Sequence, residues 1–283
     1  MNHSLSYEEI FDRNYGVLTL EEQEKLRKAR VTVVGAGGVG GIAAIQCARM
    51  GIENFHIIDG DLFVPSNLNR QMLSFASNLG KSKAEEAMRI LKDINPQVKI
   101  KITADFITKE NAEKLLSQTD VILDGTDNLA FRVIIHRAAY KLGIPSVWIA
   151  VTPPFRGGVM CLSPVSTPYE KALRHPSAGR GLTDELEKQV IAIKDERARF
   201  SVSKGALADW SDKYLRGEKA WAVISPVANI VGLLASFEIM KLIILRSDLV
   251  PVYSPRLLLI DMASNPMVSV QSPADGSWDY TKL

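Results

Sequence analysis

Residues 31–59 read VTVVGAGGVGGIAAIQCARMGIENFHIID, and this stretch decides the fold. Val31 to Val34 form a short apolar run with the length and β-branching of a buried strand. Six residues follow, Gly35-Ala36-Gly37-Gly38-Val39-Gly40, that only a tight turn explains. Residues 42–50 have helical composition, Gly51 is a stop signal, and residues 54–58 form a second strand that ends on Asp59. The stretch is one βαβ unit. Upstream, residues 7–29 predict a polar helical lead-in broken near Tyr15-Gly16. Downstream, a loop with Pro65, Ser66 and Asn67 leads to a charged helix over 82–93. Strands at 98–103, 121–124 and 145–151 then alternate with helices at 109–117 and 130–141. Such alternation predicts an α/β fold with a doubly wound, mostly parallel sheet covered on both faces.

Beyond residue 151 the pattern changes. Residues 157–162 predict a further strand, 163–220 a long irregular and charged stretch, 225–245 a helix, and 257–270 a closing strand pair interrupted at 264–266. The chain is therefore read as a single domain over 1–283. It has a helical arm (1–30), a nucleotide-binding core (31–151) and a C-terminal extension of helix and strands (152–283).

Bulk properties narrow the function classes. Of 283 residues 46% are hydrophobic and 23% charged, enough for a sizeable core, and 34 basic against 32 acidic residues leave a formal charge of +2. No global field points to nucleic acid or an anionic membrane. Cys47 and Cys161 are the only cysteines and suggest no disulfide framework, which with the acidic, signal-free first thirty residues leads to a cytoplasmic expectation. Residues 223–245 are membrane-like in length, but Pro226, Asn229, Glu238 and Lys241 interrupt them and predict a buried helix instead.

The turn Gly35, Gly37, Gly38, Gly40 lets backbone approach a phosphate at a helix N-terminus, and Asp59, about twenty residues on, stands where a ribose hydroxyl would be bound. The plain alternative is a turn that only packs helix on strand. These features do not separate NAD from ATP. Ser66-Asn67-Leu68-Asn69-Arg70-Gln71 and Lys83 add two cations, which suit a triphosphate with a departing pyrophosphate better than a dinucleotide. Either cation alone reads more readily as part of a solvated basic face. Asp127, in Asp124-Gly125-Thr126-Asp127-Asn128 at a strand's C-terminal end, is a candidate magnesium ligand or else a helix N-cap.

Taken together, GAGGVG, Asp59, SNLNRQ, Lys83 and DGTDN resemble the adenylation core of the ThiF/MoeB/HesA family, which includes the ubiquitin-activating enzymes. The order and spacing match from Gly35 to Asn128, and the strand order to about residue 151. The resemblance implies a Rossmann-like fold and a homodimer using ATP and Mg2+. Asp59 would bind the ribose, Asn67, Arg70 and Lys83 the phosphates, and Asp127 the magnesium. Arg13 stands where the family carries an arginine that reaches the partner subunit's site, on a shorter connection than usual. The implied reaction is adenylation of a carboxylate. Its source would be the C-terminus of a small ubiquitin-like or sulfur-carrier protein, a peptide, or in some members a modified tRNA base.

Two departures bear on that. Structural zinc in this family takes two Cys-x-x-Cys pairs, which this chain lacks, so no structural zinc is expected. No cysteine follows Cys161, which sits in a predicted strand and reads as a packing residue, so an acceptor thiol is not evident. His136 and His175 receive no catalytic role, and residues 171–199 read as a solvated helical crossover, although in the family that the chain resembles such a region can contact the substrate. The rival readings are an NAD(P)-dependent oxidoreductase and a degenerate nucleotide-binding scaffold.

Overall fold

The βαβ unit forms as read. In a computed structural model that describes residues 5–283, Arg30–Val34 (β1) is followed by Gly38–Arg49 and then by Asn54–Ile58 (β2), paired parallel with Val34 opposite Ile58. The first four residues of the expected arm lie outside the described ones. The rest of the arm is Tyr7–Phe11 (α1) and Leu20–Lys28 (α2), with the break at residues 15–16 between them. Each helix starts in a capping box, Ser6 with Glu9 and Thr19 with Glu22, which satisfies two orphan amides reciprocally. The helix Gly38–Arg49 (α3) begins four residues before the expected 42, so three of the glycines lie inside it.

Lys83–Ile94 (α4), Lys99–Thr103 (β3), Ala112–Leu116 (α5), Val121–Asp124 (β4), Leu129–Leu142 (α6) and Ser146–Thr152 (β5) continue the alternation. Arg156–Leu162 (β6), Leu257–Asp261 (β7) and Val268–Gln271 (β8) complete one eight-stranded sheet of order β3-β2-β1-β4-β5-β6-β7-β8. The first five strands in that order are parallel and the last three antiparallel. The chain runs outward from β1 to β2 and β3, then returns to place β4 on the other side of β1. The crevice beyond the C-terminal ends of β1 and β4 is the topological switch point where open α/β sheets bind ligands.

The expected helix at 225–245 is Ser225–Ile244, which packs between α3 and the sheet and leaves Leu233 and Phe237 exposed on its outer side. At Gly232 an added Cβ would lie 2.1 Å from Ile42 Cγ2, so the glycine lets the two helices touch. Its acid is an internal partner: fully buried Glu238 accepts from Val252 N at 2.8 Å and from Cys161 Sγ at 3.3 Å, and pairs with Lys241. Cys161 is a buried residue of β6.

Residues 163–220 depart from the irregular stretch expected. They hold Tyr169–Ala172 (α7), the nineteen-residue Asp184–Val202 (α8) and Ala208–Leu215 (α9), which make Ser225–Ile244 α10. Nor is α8 a solvated crossover. Leu186, Val190, Ile193, Arg197, Ala198 and Ser201 are buried, and the helix packs on α6 and on the segment at 280–282. Its i, i+4, i+7 apolar spacing is obscured by charges of both signs and by an arginine on the buried face.

Candidate functional site

The site is a cavity of about 500 Å3 at the switch point, in the range of small-molecule pockets. Its floor is the contact between the turn after β1 and the turn after β4. Gly35 has φ +92°, and a Cβ there would lie 2.7 Å from Gly125 C, so bare backbone is needed for the two turns to meet. Gly37 and Gly38 face the cavity at the start of α3. Gly40 does not line it: a Cβ there would lie 1.9 Å from Gly35 O, which makes it the glycine that seats the helix against its own turn.

Asp59 closes the β2 end. Oδ2 accepts from Ala36 N at 2.7 Å and Oδ1 from Asp61 N at 2.9 Å, which fixes the carboxylate and leaves lone pairs on both oxygens toward the cavity. Burial pushes its carboxyl above the ordinary value, against the pull of Lys83 and of those amides. Asn67 is buried, its Oδ1 accepting from Val64 N at 3.1 Å within a 3-10 turn, so that the loop presents Arg70 beside Gly38. The Arg70 guanidinium donates to Ser66 O at 2.9 Å and Asn69 Oδ1 at 2.8 Å. Burial lowers its affinity for the proton and Asp127 opposes that. Lys83 is buried at the start of α4 and pairs with Asp61 Oδ2 at 2.8 Å. Neither cation belongs to a solvated basic face.

The alternative for Asp127 is settled by its neighbour. The cap of α6 is Asn128, whose Oδ1 accepts from Ala130 N at 2.9 Å and Phe131 N at 3.2 Å. The Asp127 side chain is 93% exposed to the solvent of the cavity it lines, with Lys194 Nζ at 3.8 Å from Oδ2. Burial within the site opposes its charge, but Lys194, Arg132 and Lys83 outweigh that and hold the carboxyl below its ordinary value. An open carboxylate beside a space for phosphates and water is a fit for a hard divalent cation.

Of the residues singled out in the sequence, the cavity gathers Gly35, Gly37, Gly38, Asp59, Asn67, Arg70, Lys83 and Asp127. Gly40 packs behind it, and Arg13 is exposed on the 3-10 turn Asp12–Asn14, outside the cavity wall. Sequence reading missed Asp61, Arg132, Lys194, Arg197 and Trp221. Arg132 lies one helical turn past the cap Asn128 and therefore faces back to the strand ends, a signal the spacing does carry. It donates to the carbonyls of Thr126 and Ile149. Burial opposes its charge and the buried Asp124 more than restores it. Asp124 in turn receives His136 Nε2 at 3.0 Å, and His136 Nδ1 meets Ser146 Oγ at 3.0 Å. Lys194 and Arg197, from α8, and Trp221 close the β5 side. Nothing in their local sequence pointed there.

Comparison with known proteins finds relatives of this chain. The model of the ThiF family matches residues 11–276. The protein named "Probable adenylyltransferase/sulfurtransferase MoeZ" of Mycobacterium tuberculosis is 38% identical over 131 residues, 46% of this chain and 33% of that protein. "Adenylyltransferase and sulfurtransferase uba4" of Aspergillus niger is 42% identical over 130 residues, 46% of this chain and 27% of that protein. The chain thus spans about a third or less of the length of these curated relatives. Among solved structures, E. coli MccB with ATP shares the fold, with a TM-score of 0.67 at 18% identity, covering 91% of this chain and 67% of that one.

Proposed function

The chain belongs to the ThiF family, and from that premise we propose that it adenylates a carboxylate with ATP and magnesium, releasing pyrophosphate. The observation that carries this reading is the convergence of Arg70, Lys83 and Asp127 on one cavity with the glycine turn and Asp59. A dinucleotide oxidoreductase needs the turn and the acid but not two cations and a free carboxylate beyond them. The names of the MoeZ and uba4 relatives and the ATP-bound MccB fold support the same reading.

In this reaction a carboxylate oxygen bonds to the α-phosphorus while the bond from that phosphorus to the bridging oxygen breaks, and pyrophosphate leaves with the electron pair. No proton moves, because a carboxylate is already ionised near neutrality. The protein positions the reactants and compensates charge. Asp59 orients the ribose, the amides at the start of α3 face the phosphates, and Arg70 and Lys83 meet the charge that grows on the leaving group. Asp127 would hold the magnesium ion, which when bound supplies further neutralisation of phosphate oxygens.

The acyl donor on this reading is the C-terminus of a small ubiquitin-like or sulfur-carrier protein, or a peptide. The enzyme works as a homodimer in which Arg13, exposed and outside its own cavity, serves the partner's site. Pyrophosphate–ATP isotope exchange in the presence of tail peptides and small carboxylates tests the core of this. Exchange by the wild type that falls about 10²-fold or more in Arg70→Ala and in Asp127→Ala is the expected outcome. Exchange that persists undiminished in both variants would remove the roles assigned, and absence of ATP binding would remove the reading.

A further inference from the structure

The acyl substrate needs its own subsite, and the sheet order locates it. Asp59 marks the β2 end of the cavity, the glycine turn and Asp127 the β1–β4 switch point, and Lys194, Arg197 and Trp221 the β5 end. From β2 to β5 is three strand spacings, about 14 Å. That is room for a ribose, a phosphate row and one more group in line, and the group beyond the α-phosphate is the carboxylate that attacks it.

The cations at the site are not equally free. Lys83 is held by Asp61, Arg70 by Ser66 and Asn69, and Arg132 by two backbone carbonyls. Arg197 is held by Thr152 Oγ1 and Leu283 O. Lys194 alone among these makes no hydrogen bond within the described residues. Its nearest acid, Asp127 at 3.8 Å, is beyond hydrogen-bond reach. The ammonium is nonetheless confined, with 21% of its side chain exposed and the Trp221 ring 5.9 Å away. That ring is fixed by its Nε1–H donating to Val151 O at 3.1 Å. A desolvated ammonium with three unfilled donors, aimed into a cavity and backed by an anchored aromatic face, is built to receive an anion.

We propose that Lys194, roofed by Trp221, grips the acyl substrate's carboxylate through the oxygen that does not attack phosphorus. This rests on the adenylation reading. When a metal takes up the charge of Asp127, the ammonium's remaining partner is that oxygen, and the contact persists in the acyl-adenylate because this oxygen becomes its carbonyl. The remainder of the substrate then lies against Trp221, whose ring is packed edge to face on Trp210 and Tyr214 at 5.3–5.7 Å.

The test is calorimetric, on the whole chain with three defined probes: Mg·ATP, 5′-O-sulfamoyladenosine, and its N-glycyl derivative, a non-reactive mimic of an acyl-adenylate. In the wild type the glycyl group should raise affinity over the bare sulfamate. In Lys194→Met that gain should fall about tenfold or more, the loss expected for one charged hydrogen bond, while Mg·ATP affinity stays within about threefold. Lys194→Arg should restore part of the gain, which a merely structural lysine would not do. An undiminished gain in Lys194→Met, or an equal loss on all three probes, overturns the assignment while leaving adenylation intact. Wild-type protein that binds none of the probes overturns the adenylation reading and this inference together.

Discussion

Gly125→Ala should damage nucleotide binding more than it damages folding. The backbone at 125 is not left-handed, so an alanine is penalised by space alone. The new Cβ would stand 2.5 Å from Gly35 O, 3.0 Å from Gly40 Cα and 3.2 Å from Val34 O, about 0.9 Å short of ordinary contact in the worst case. None of these neighbours is the end of a flexible side chain. Gly35 N donates to Ile58 O and Gly125 N to Val34 O, both at 2.8 Å, so the two turns can separate only by straining the ladder that carries them.

Overpacking of this kind costs about 1–3 kcal/mol of stability. The same displacement moves the phosphate-facing turn by close to 1 Å relative to Asp127, and a misplacement of that size costs on the order of 10²-fold where geometry sets the rate. Denaturant unfolding gives the first quantity, calorimetry with Mg·ATP and pyrophosphate exchange the second. Gly37→Ala is the control, since its Cβ meets only Gln71 Nε2, at 3.7 Å. Its stability should stay within about 0.5 kcal/mol, and any loss should appear in binding, because the methyl narrows the cavity wall. Gly125→Ala with an unchanged unfolding midpoint and ATP affinity within twofold would refute the claim that the two turns are fitted to each other.

Glu238→Ala should lose about 3–5 kcal/mol of stability by leaving Lys241 and Val252 N without their buried acceptor, and denaturant unfolding checks it. Burial, with Arg132 and other cations behind it, pushes the His175 imidazole down to about 3. An unfolded histidine titrates near 6.5, so the stability that neutral His175 contributes is complete above that pH and is lost on acidification, by about 2 kcal/mol at pH 5. His175→Gln should flatten that slope between pH 7 and 5, and an equal slope in both proteins would be the wrong result. Arg132→Lys cannot reproduce the fork to Thr126 O and Ile149 O, so pyrophosphate exchange should fall about tenfold or more through a loosened Asp127 turn, with a smaller effect on ATP affinity.

The parts of the site legible in the sequence are those fixed by local backbone packing, strand ends and helix starts. Gly35 and Gly40 are glycine because any Cβ would strike the chain itself, and such a demand leaves a fixed local spacing. Asp59 and Asp127 follow from the same logic, since strand ends are where side chains reach the crevice. Arg132 was recoverable from its one-turn offset from Asn128. Asp61 was not, because its importance comes from Lys83, twenty-two positions away across a loop.

The β5 side was illegible for a different reason. The position of Lys194 depends on α8 lying over α6 and on the segment at 280–282 that packs beneath it, where the Tyr280 ring lies 4.6 Å from the Arg197 guanidinium. These are tertiary contacts between elements far apart in the chain, and α8 hides its buried face among Asp184, Glu185, Glu187, Lys188 and Asp195. The division has a physical basis in what each half recognises. A nucleotide presents the same ribose and phosphates to every enzyme that uses it, so backbone turns and strand-end acids at set spacings suffice. An acyl group differs from one substrate to the next, and on the proposed assignment the side chains that meet it come from α8 and from Trp221, brought to the cavity by tertiary packing alone. On that assignment, the half of the site that meets the acyl group is the half that only folding assembles.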